Sequence, residues 1–343
     1  MELRKQMLNL LPQIEAKEAF EADTYAWFNN LLHGHMGKWQ YMESAYDGDP
    51  VNGAQLWDRW EQEASRGDNM LKRQGQIIEE QIVDMVALTK PCQTLIDLGP
   101  GGMSAVVKNT IPFVNGYKDS LTNFIAIDMS EEAATNAAGH VQSLNDQIKT
   151  HALHDDFLNT NLDISHEGKT IALMMGGTIG NFEAKPNTPN AINLMSQRIT
   201  ALKSSMPKNT IIFIGLEATQ TPELLYSDYD NPIHAEYEIN LMHSIKRDLL
   251  AEQNGFDPYS WKYSMQWHPK AYQFCHIAEA TELQRFEMMG QDIRFAKGSK
   301  LIIDNSFKFP VLAMQRAAQK ANTAYLKPFS DDEGRMVIHA ILL

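Results

Sequence analysis

The sequence predicts an α/β protein with a mostly parallel, Rossmann-like sheet, a closing antiparallel hairpin and a second domain. Three observations predict it. TLIDLGPGG, residues 94–102, is a β-rich apolar run that enters a glycine loop. Strand and helix patterns then alternate at least four times up to residue 215. Finally, two closing strands, TAYLKPF and RMVIHAILL, are joined by the turn SDDEG, and strands joined so tightly must pair antiparallel.

In chain order, residues 1–34 have apolar positions such as Leu8, Leu11, Ile14 and Phe20 at helical spacing, before HGHMG breaks the pattern. His33 and His35 have no carboxylate or thiolate beside them, so they read as a polar loop rather than a metal pair. KWQYMESAYDGDPVNG, 38–53, is aromatic, polar and turn-rich, and a loop of that length in a compact chain is often functional. One or two helices over 56–90 lead to the strand at 94.

The loop after that strand carries Gly99, Gly101 and Gly102, which let the backbone approach a ligand closely. It is neither a P-loop, lacking Lys followed by Ser or Thr, nor a GxGxxG fingerprint. Strand NFIAID ends at Asp128, where a carboxylate can accept from a ribose diol, and a helix opens at Ser130. HDDFLN follows, where Asp155 or Asp156 with Phe157 offers an adenine an acceptor and an apolar face. Strand 171–175 runs into GGTIGNFE, and strand 210–215 follows a further helix. A ligand belongs at the carboxyl ends of such strands, where Gly99, Asp128, Asp156 and Gly176 all fall.

From 220 to about 300 the βα rhythm stops. PELLYSDYDNPIHAEYEINLMHSIKRDLL and FDPYSWKYSMQWHP read as helical and aromatic-rich, whereas AYQFCHIAEA and KLIIDNSFKF read as strands. This is too much material for a loop and is read as an inserted domain.

Composition bounds the function. With 343 residues and 43% hydrophobic content the chain can bury a sizeable core. A net charge of −13 with no Lys/Arg block argues against nucleic acid or an anionic membrane as partner. No run of about 18 apolar residues is present and the start lacks a secretory core, so a cytoplasmic protein is expected. Cys92 and Cys275 stand alone, indicating neither a disulfide framework nor a zinc site. Nothing in the sequence sets the oligomeric state, and a monomer is compatible with it.

A sheet of this kind, with DLGPGG after its first strand and an acid after its second, resembles the class I S-adenosylmethionine-dependent methyltransferase fold. GGTIGNFE is similar to the FLGSTIGN motif of the histidine-specific methyltransferases of ergothioneine biosynthesis. In order along the chain, KWQY resembles that family's KWFY, DDF its GDF, YSDYDN its AYDD, and LIIDNSFKF its LTEVSCKF. The resemblance implies S-adenosylmethionine as cofactor, no metal, and a small amino acid as substrate. It implies that Gly99 and Gly101 line the methionine moiety, Asp128 the ribose, and Asp156 with Phe157 the adenine. Tyr41 would close over the cofactor, and Gly176 would lie between cofactor and substrate. Asn181 and Tyr229 would hold the α-amino and α-carboxylate groups and serve as the catalytic pair. Asp304 and Ser306 would read the side chain, with Cys275 or His276 near the family's pocket methionine. The family's second domain implies a division into 74–219 with 308–343 for the cofactor and 1–73 with 220–307 for the substrate.

Departures from the family are informative. Its PEYYPTRTE segment has become EQEASRGDNMLKRQG, the lysine after its glycine loop has no counterpart near Ala105, and its pocket Glu is Asp304. The shorter acid predicts a deeper pocket unless the backbone compensates. A buried acid without a partner calls for a ligand bearing N–H donors or positive charge, unless a neighbour such as Lys300 pairs with it. The expected activity is methylation of the α-amino nitrogen of histidine or a relative. Arginine or an indole-bearing amino acid as substrate, and a non-catalytic binding protein on the same fold, are the alternatives. A nicotinamide oxidoreductase is disfavoured by the glycine spacing and the hairpin.

Overall fold

The structure, a computed structural model, describes residues 17–34, 36–40, 53–64, 68–157, 168–252 and 255–343. Helix α1 covers 17–28, α2 Gly37–Gln40, α3 Gly53–Ala64 and α4 Met70–Thr89. Helix α4 starts at Asn69, whose Oδ1 accepts from the backbone N–H groups of Leu71 and Lys72 and so satisfies two of the donors that a helix start leaves open.

The alternating part follows as the sequence predicts. Strands β1 Thr94–Leu98, β2 Asn123–Asp128, β3 Lys149–His154, β4 Thr170–Met174 and β5 Ile211–Glu217 pair in parallel. Between β1 and β2 the chain forms α5 Met103–Ala105, one π turn at Val106–Thr110 and α6 Ile111–Gly116. Helices α7 Glu131–Leu144 and α8 Ala191–Ser205 follow β2 and β4.

After β5 come α9 Pro222–Tyr229 and α10 Pro232–Asp248, then β6 Trp261–His268, β7 Gln273–Ala280, β8 Gln284–Met288, β9 Gln291–Phe295 and β10 Lys300–Phe307. The chain closes with α11 Val311–Lys320, β11 Ala324–Ser330 and β12 Met336–Leu342. One sheet has the order β11-β12-β5-β4-β1-β2-β3, with β12 antiparallel to both β5 and β11, and this is the expected class I methyltransferase arrangement. β10-β7-β6 and β8-β9 form separate sheets.

The central strands are buried on both faces, so alternate residues feed two cores. Leu95 and Phe213 face one with Phe113 and Phe124, while Ile96 and Ile214 face the other with Met195 and Met314. A third core gathers Trp27 and Phe28 of α1, Leu241 of α10, and Trp261, Phe286, Phe295 and Ile303 of the smaller sheets.

The structure corrects the reading of the insert. WKYSMQWH is strand β6, consistent with its alternation of Trp, Tyr, Met and Trp with Lys, Ser, Gln and His. The β8-β9 hairpin was not expected either. Met289 and Gly290, both at positive φ, make its two-residue turn, the geometry that matches strand twist. Among the described residues no helix is long and apolar enough to cross a membrane.

Candidate active site

At the carboxyl ends of β1, β2 and β4 lies a cavity of about 550 Å³, within the range that small-molecule ligands occupy. Gly99, Gly101, Asp128, Asp156, Phe157 and Gly176 line it, with Asn181 and Asp304 at one side. Gly99 and Gly101 take φ of +77° and +68°, a backbone that side chains rarely allow, so the loop needs glycine to turn back over β1. The Gly99 N–H donates to Ile127 O at 2.8 Å, which fixes the loop against β2.

Asp128 holds that loop from the next strand. Its Oδ1 accepts from Ser130 N at 2.9 Å and its Oδ2 from Gly101 N at 3.4 Å. Burial raises its pKa against these hydrogen bonds, and lone pairs remain on both oxygens for a ribose diol. Asp97, one strand over, is fully enclosed and burial pushes it up to about 7, although Thr110 Oγ1 donates to it at 2.5 Å. Asp156, rather than Asp155, lines the cavity, and Asp155 instead accepts from Asp156 N at 2.8 Å. Gly176 N donates to Gln74 Oε1 at 2.9 Å, tying the loop after β4 to helix α4.

A second cavity of about 20 Å³ adjoins the first and shares Trp57, Gly176, Asn181 and Asp304 with it. Tyr229, His276 and Ser306 complete the expected set there. Asn181 and Tyr229, from opposite sides of the chain's insertion point, thus border one space. Among the described residues no hydrogen bond engages the Asn181 amide.

Asp304 reaches this position through a β-bulge. The β10/β7 register slips between Ile302 and Asp304, which places Asp304 opposite His276. Its carboxyl rests on Gly37, where a Cβ would come within 2.5 Å of Asp304 Cγ, so only glycine fits beneath it. Burial pushes Asp304 up to about 7, against the Asn305 N–H at 2.8 Å and the charges of Arg198 and Lys308. Lys300 is not its partner, because Lys300 Nζ lies 3.6 Å from Glu279. Trp60, His234, Glu238 and His276 line the second cavity together with Asp304.

Lys308, 1% exposed, organises the far wall. Its ammonium lies 2.9 Å from Glu217 Oε2 and donates to Tyr229 Oη at 2.6 Å and to Ser306 Oγ at 2.8 Å. Burial opposes its charge, but Glu217 and Tyr229 win and its pKa is raised. Both hydroxyls are thereby held as acceptors from Lys308, and the Tyr229 O–H donates to Met70 Sδ at 3.7 Å. Behind them Asp228 is pushed up to about 7 by burial and by Glu217. Beside Asp304, His234 is drawn down to about 3 and His276 well below its usual value, burial being the main cause of each. Glu238 is raised well above the carboxylate range by burial and then by Asp304.

Tyr41 and His35 lie outside the described residues. Sequence reasoning missed Lys308, Gln74, His234 and Glu238. Lys308 had a signal, a lone lysine in the apolar run LIIDNSFKF. Gln74 and the α10 pair had none, being ordinary polar residues on helices until the fold brings them to a cavity.

A family model described as a histidine-specific, S-adenosylmethionine-dependent methyltransferase matches residues 51–342. The Histidine N-alpha-methyltransferase of Mycobacterium tuberculosis (strain CDC 1551 / Oshkosh) is 22% identical over 253 residues, 73% of this chain and 75% of that protein. The uncharacterized protein y4iF of Sinorhizobium fredii is 22% identical over 246 residues, 71% of this chain and 79% of that protein. The crystal structure of an S-adenosylmethionine-dependent methyltransferase from Clostridium acetobutylicum gives a TM-score of 0.41 at 10% identity, covering 84% of this chain and 98% of that one, a likeness too loose to argue from.

Proposed function

The chain belongs to the histidine-specific, S-adenosylmethionine-dependent methyltransferases, and from that premise we propose that it methylates the α-amino nitrogen of a free amino acid, histidine or a histidine-like molecule. That it is a methyltransferase with S-adenosylmethionine as cofactor follows from the family. The substrate and the roles of individual residues are our reading.

One observation carries it. Gly176, Asn181 and Asp304 line both cavities, so a molecule held by Asn181 and Tyr229 lies directly against the space that the glycine loop and Asp128 enclose. The glycine loop and the part-used acceptors of Asp128 suit a nucleoside with a small zwitterionic arm. When bound, the cofactor supplies an electrophilic methyl carbon on a sulfonium, and an unprotonated amine displaces its thioether.

The protein then mainly has to position. The Asn181 amide can accept from the amine and steer its lone pair. Tyr229 would turn its O–H from Met70 Sδ, a weak acceptor, to the α-carboxylate, with the Lys308 charge behind it favouring an anion there. Neither group adds a formal charge next to the nucleophile. Asp304 meets the substrate side chain from the shared wall, and an acid there also suits a longer basic amino acid such as arginine.

We take residues 74–219 with 308–343 as the cofactor domain and 1–73 with 220–307 as the substrate domain, a division supported by the separate core around Trp27, Trp261 and Ile303. Two buried, unpaired cysteines, Cys92 and Cys275, support a reducing cytoplasm as its location. The test is turnover with labelled S-adenosylmethionine on a panel of free amino acids, with the methylated atom located by mass spectrometry. Activity on histidine at the α-nitrogen is expected. Turnover confined to side-chain nitrogens would refute the placement of the amine at Asn181.

A further inference from the structure

We propose that His234, Glu238 and His276 form a site for a divalent cation of the zinc type at the blind end of the substrate pocket. His234 and Glu238 stand four residues apart on α10 and therefore share one face of the helix, while His276 comes from β7 opposite. One ligand atom from each lies within 4.8 Å of the others. His234 Nε2 is 3.5 Å and His276 Nδ1 is 3.4 Å from the same oxygen, Glu238 Oε1. These separations are long for hydrogen bonds. These two match the edge of a tetrahedron, about 3.4 Å for ligands bound at about 2.1 Å to a common ion, and the two rings would draw together to close the third edge.

Independent features agree. The cavity that these residues line, about 20 Å³, is of the size of one ion or water, so the body of the amino acid in the reading above lies in the larger cavity beside it. Gln40 Nε2 donates to Glu238 Oε2 at 2.9 Å, which turns Oε1 toward the two rings, as an outer-shell residue does for a ligating carboxylate. Charge points the same way. Lys308 is already matched by Glu217 and Arg198 acts on Asp304, so among the described residues Glu238 has no Lys or Arg paired with it, and a dication balances it.

Two imidazoles and one carboxylate suit zinc and its transition-metal neighbours rather than magnesium or calcium, which take oxygen ligands. Three protein ligands leave a position open, as in sites that bind a further molecule. Asn181 and Asp304 line the same cavity, so a substrate imidazole there would be within reach of such an ion. This last role rests on the histidine reading above, whereas uptake of the ion does not. The Tyr263 hydroxyl, 2.7 Å from His276 Nδ1, competes for that nitrogen and must give it up.

The test uses the full chain, stripped by a chelator and titrated with Zn²⁺ alone by calorimetry. One ion per chain is expected, and Co²⁺ in its place should give the visible absorption of a four-coordinate site with nitrogen ligands. Glu238→Gln and His276→Gln should each weaken uptake at least about 100-fold, beyond the usual cost of losing an outer-shell partner, while S-adenosylmethionine affinity is retained. Tyr263→Phe should bind the ion no more weakly than wild type. No uptake by wild type, uptake that survives both ligand substitutions, or weaker uptake by Tyr263→Phe would each overturn the assignment. The Co²⁺ spectrum of the wild type decides the matter even where a variant does not fold. Cofactor binding in the same samples separates failure of this site from failure of the methyltransferase reading.

Discussion

Lys308→Met removes a buried ammonium while nearly conserving side-chain length and volume, so its effects are electrostatic rather than those of a cavity. Lys308 is 1% exposed and its partner Glu217 2%, and their charged atoms are 2.9 Å apart. Breaking a buried pair by deleting one partner costs about 3–5 kcal/mol, because the remaining charge is left in a poor solvent. Total stability of a protein is only about 5–15 kcal/mol, so the loss is readable as a large drop in the urea midpoint at constant slope. Glu217→Gln in the same background removes the stranded charge, and the double variant should recover at least about 2 kcal/mol relative to the sum of the singles. The substrate side should respond separately. Tyr229 and Ser306 lose the donor that orients their hydroxyls, so the KM for the amino acid should rise while S-adenosylmethionine affinity holds. A single-variant cost under about 1 kcal/mol, or strict additivity in the cycle, would refute the claim that this pair is a coupled, buried unit.

Asp128→Ala should weaken S-adenosylmethionine binding by about 1–3 kcal/mol through loss of the ribose acceptor and of the loop hydrogen bonds, and unchanged affinity in calorimetry would count heavily against the cofactor placement. Asp97, held up to about 7, keeps its proton in the folded protein at pH values where the unfolded chain has released it, so stability should fall as pH rises from about 4 to about 7, by up to about 4 kcal/mol. Asp97→Asn, which still accepts from Thr110, should flatten that decline in urea unfolding at several pH values; an unaltered slope would assign it to other groups. Asp304→Asn should lower turnover on histidine and on basic amino acids, whereas Lys300→Ala should leave it unchanged because Lys300 is an exposed side chain paired with Glu279; equal activity of wild type and Asp304→Asn on every such substrate would remove Asp304 from the site.

The cofactor half was legible because its chemistry is local. A strand, a glycine turn at positive φ and an acid at the next strand tip are each written in under ten consecutive residues. Gly99, Gly101, Asp128, Asp156 and Gly176 accordingly come to one cavity. The sheet was legible for the same reason, down to the antiparallel hairpin of β11 and β12. The insert was less so. Trp261, Tyr263 and Trp267 read as an aromatic helix-like stretch although their spacing was period two, and the β8-β9 turn used Met289 in place of the Asn or Asp that usually marks it.

The substrate half draws on α3, α9, α10, β7 and β10, elements far apart in sequence, so no motif could report how its volume is filled. Asp304 shows what this means physically. Losing one methylene relative to a glutamate sets the acceptor back by about 1.5 Å unless the backbone compensates. The bulge between Ile302 and Asp304 and the bare Cα of Gly37 set the carboxyl on the wall that the two cavities share. If the substrate lies as proposed, its side chain meets Asp304 on that shared wall and the His234–Glu238–His276 cluster in the smaller cavity, and recognition turns on which charge or ligand atom it presents there.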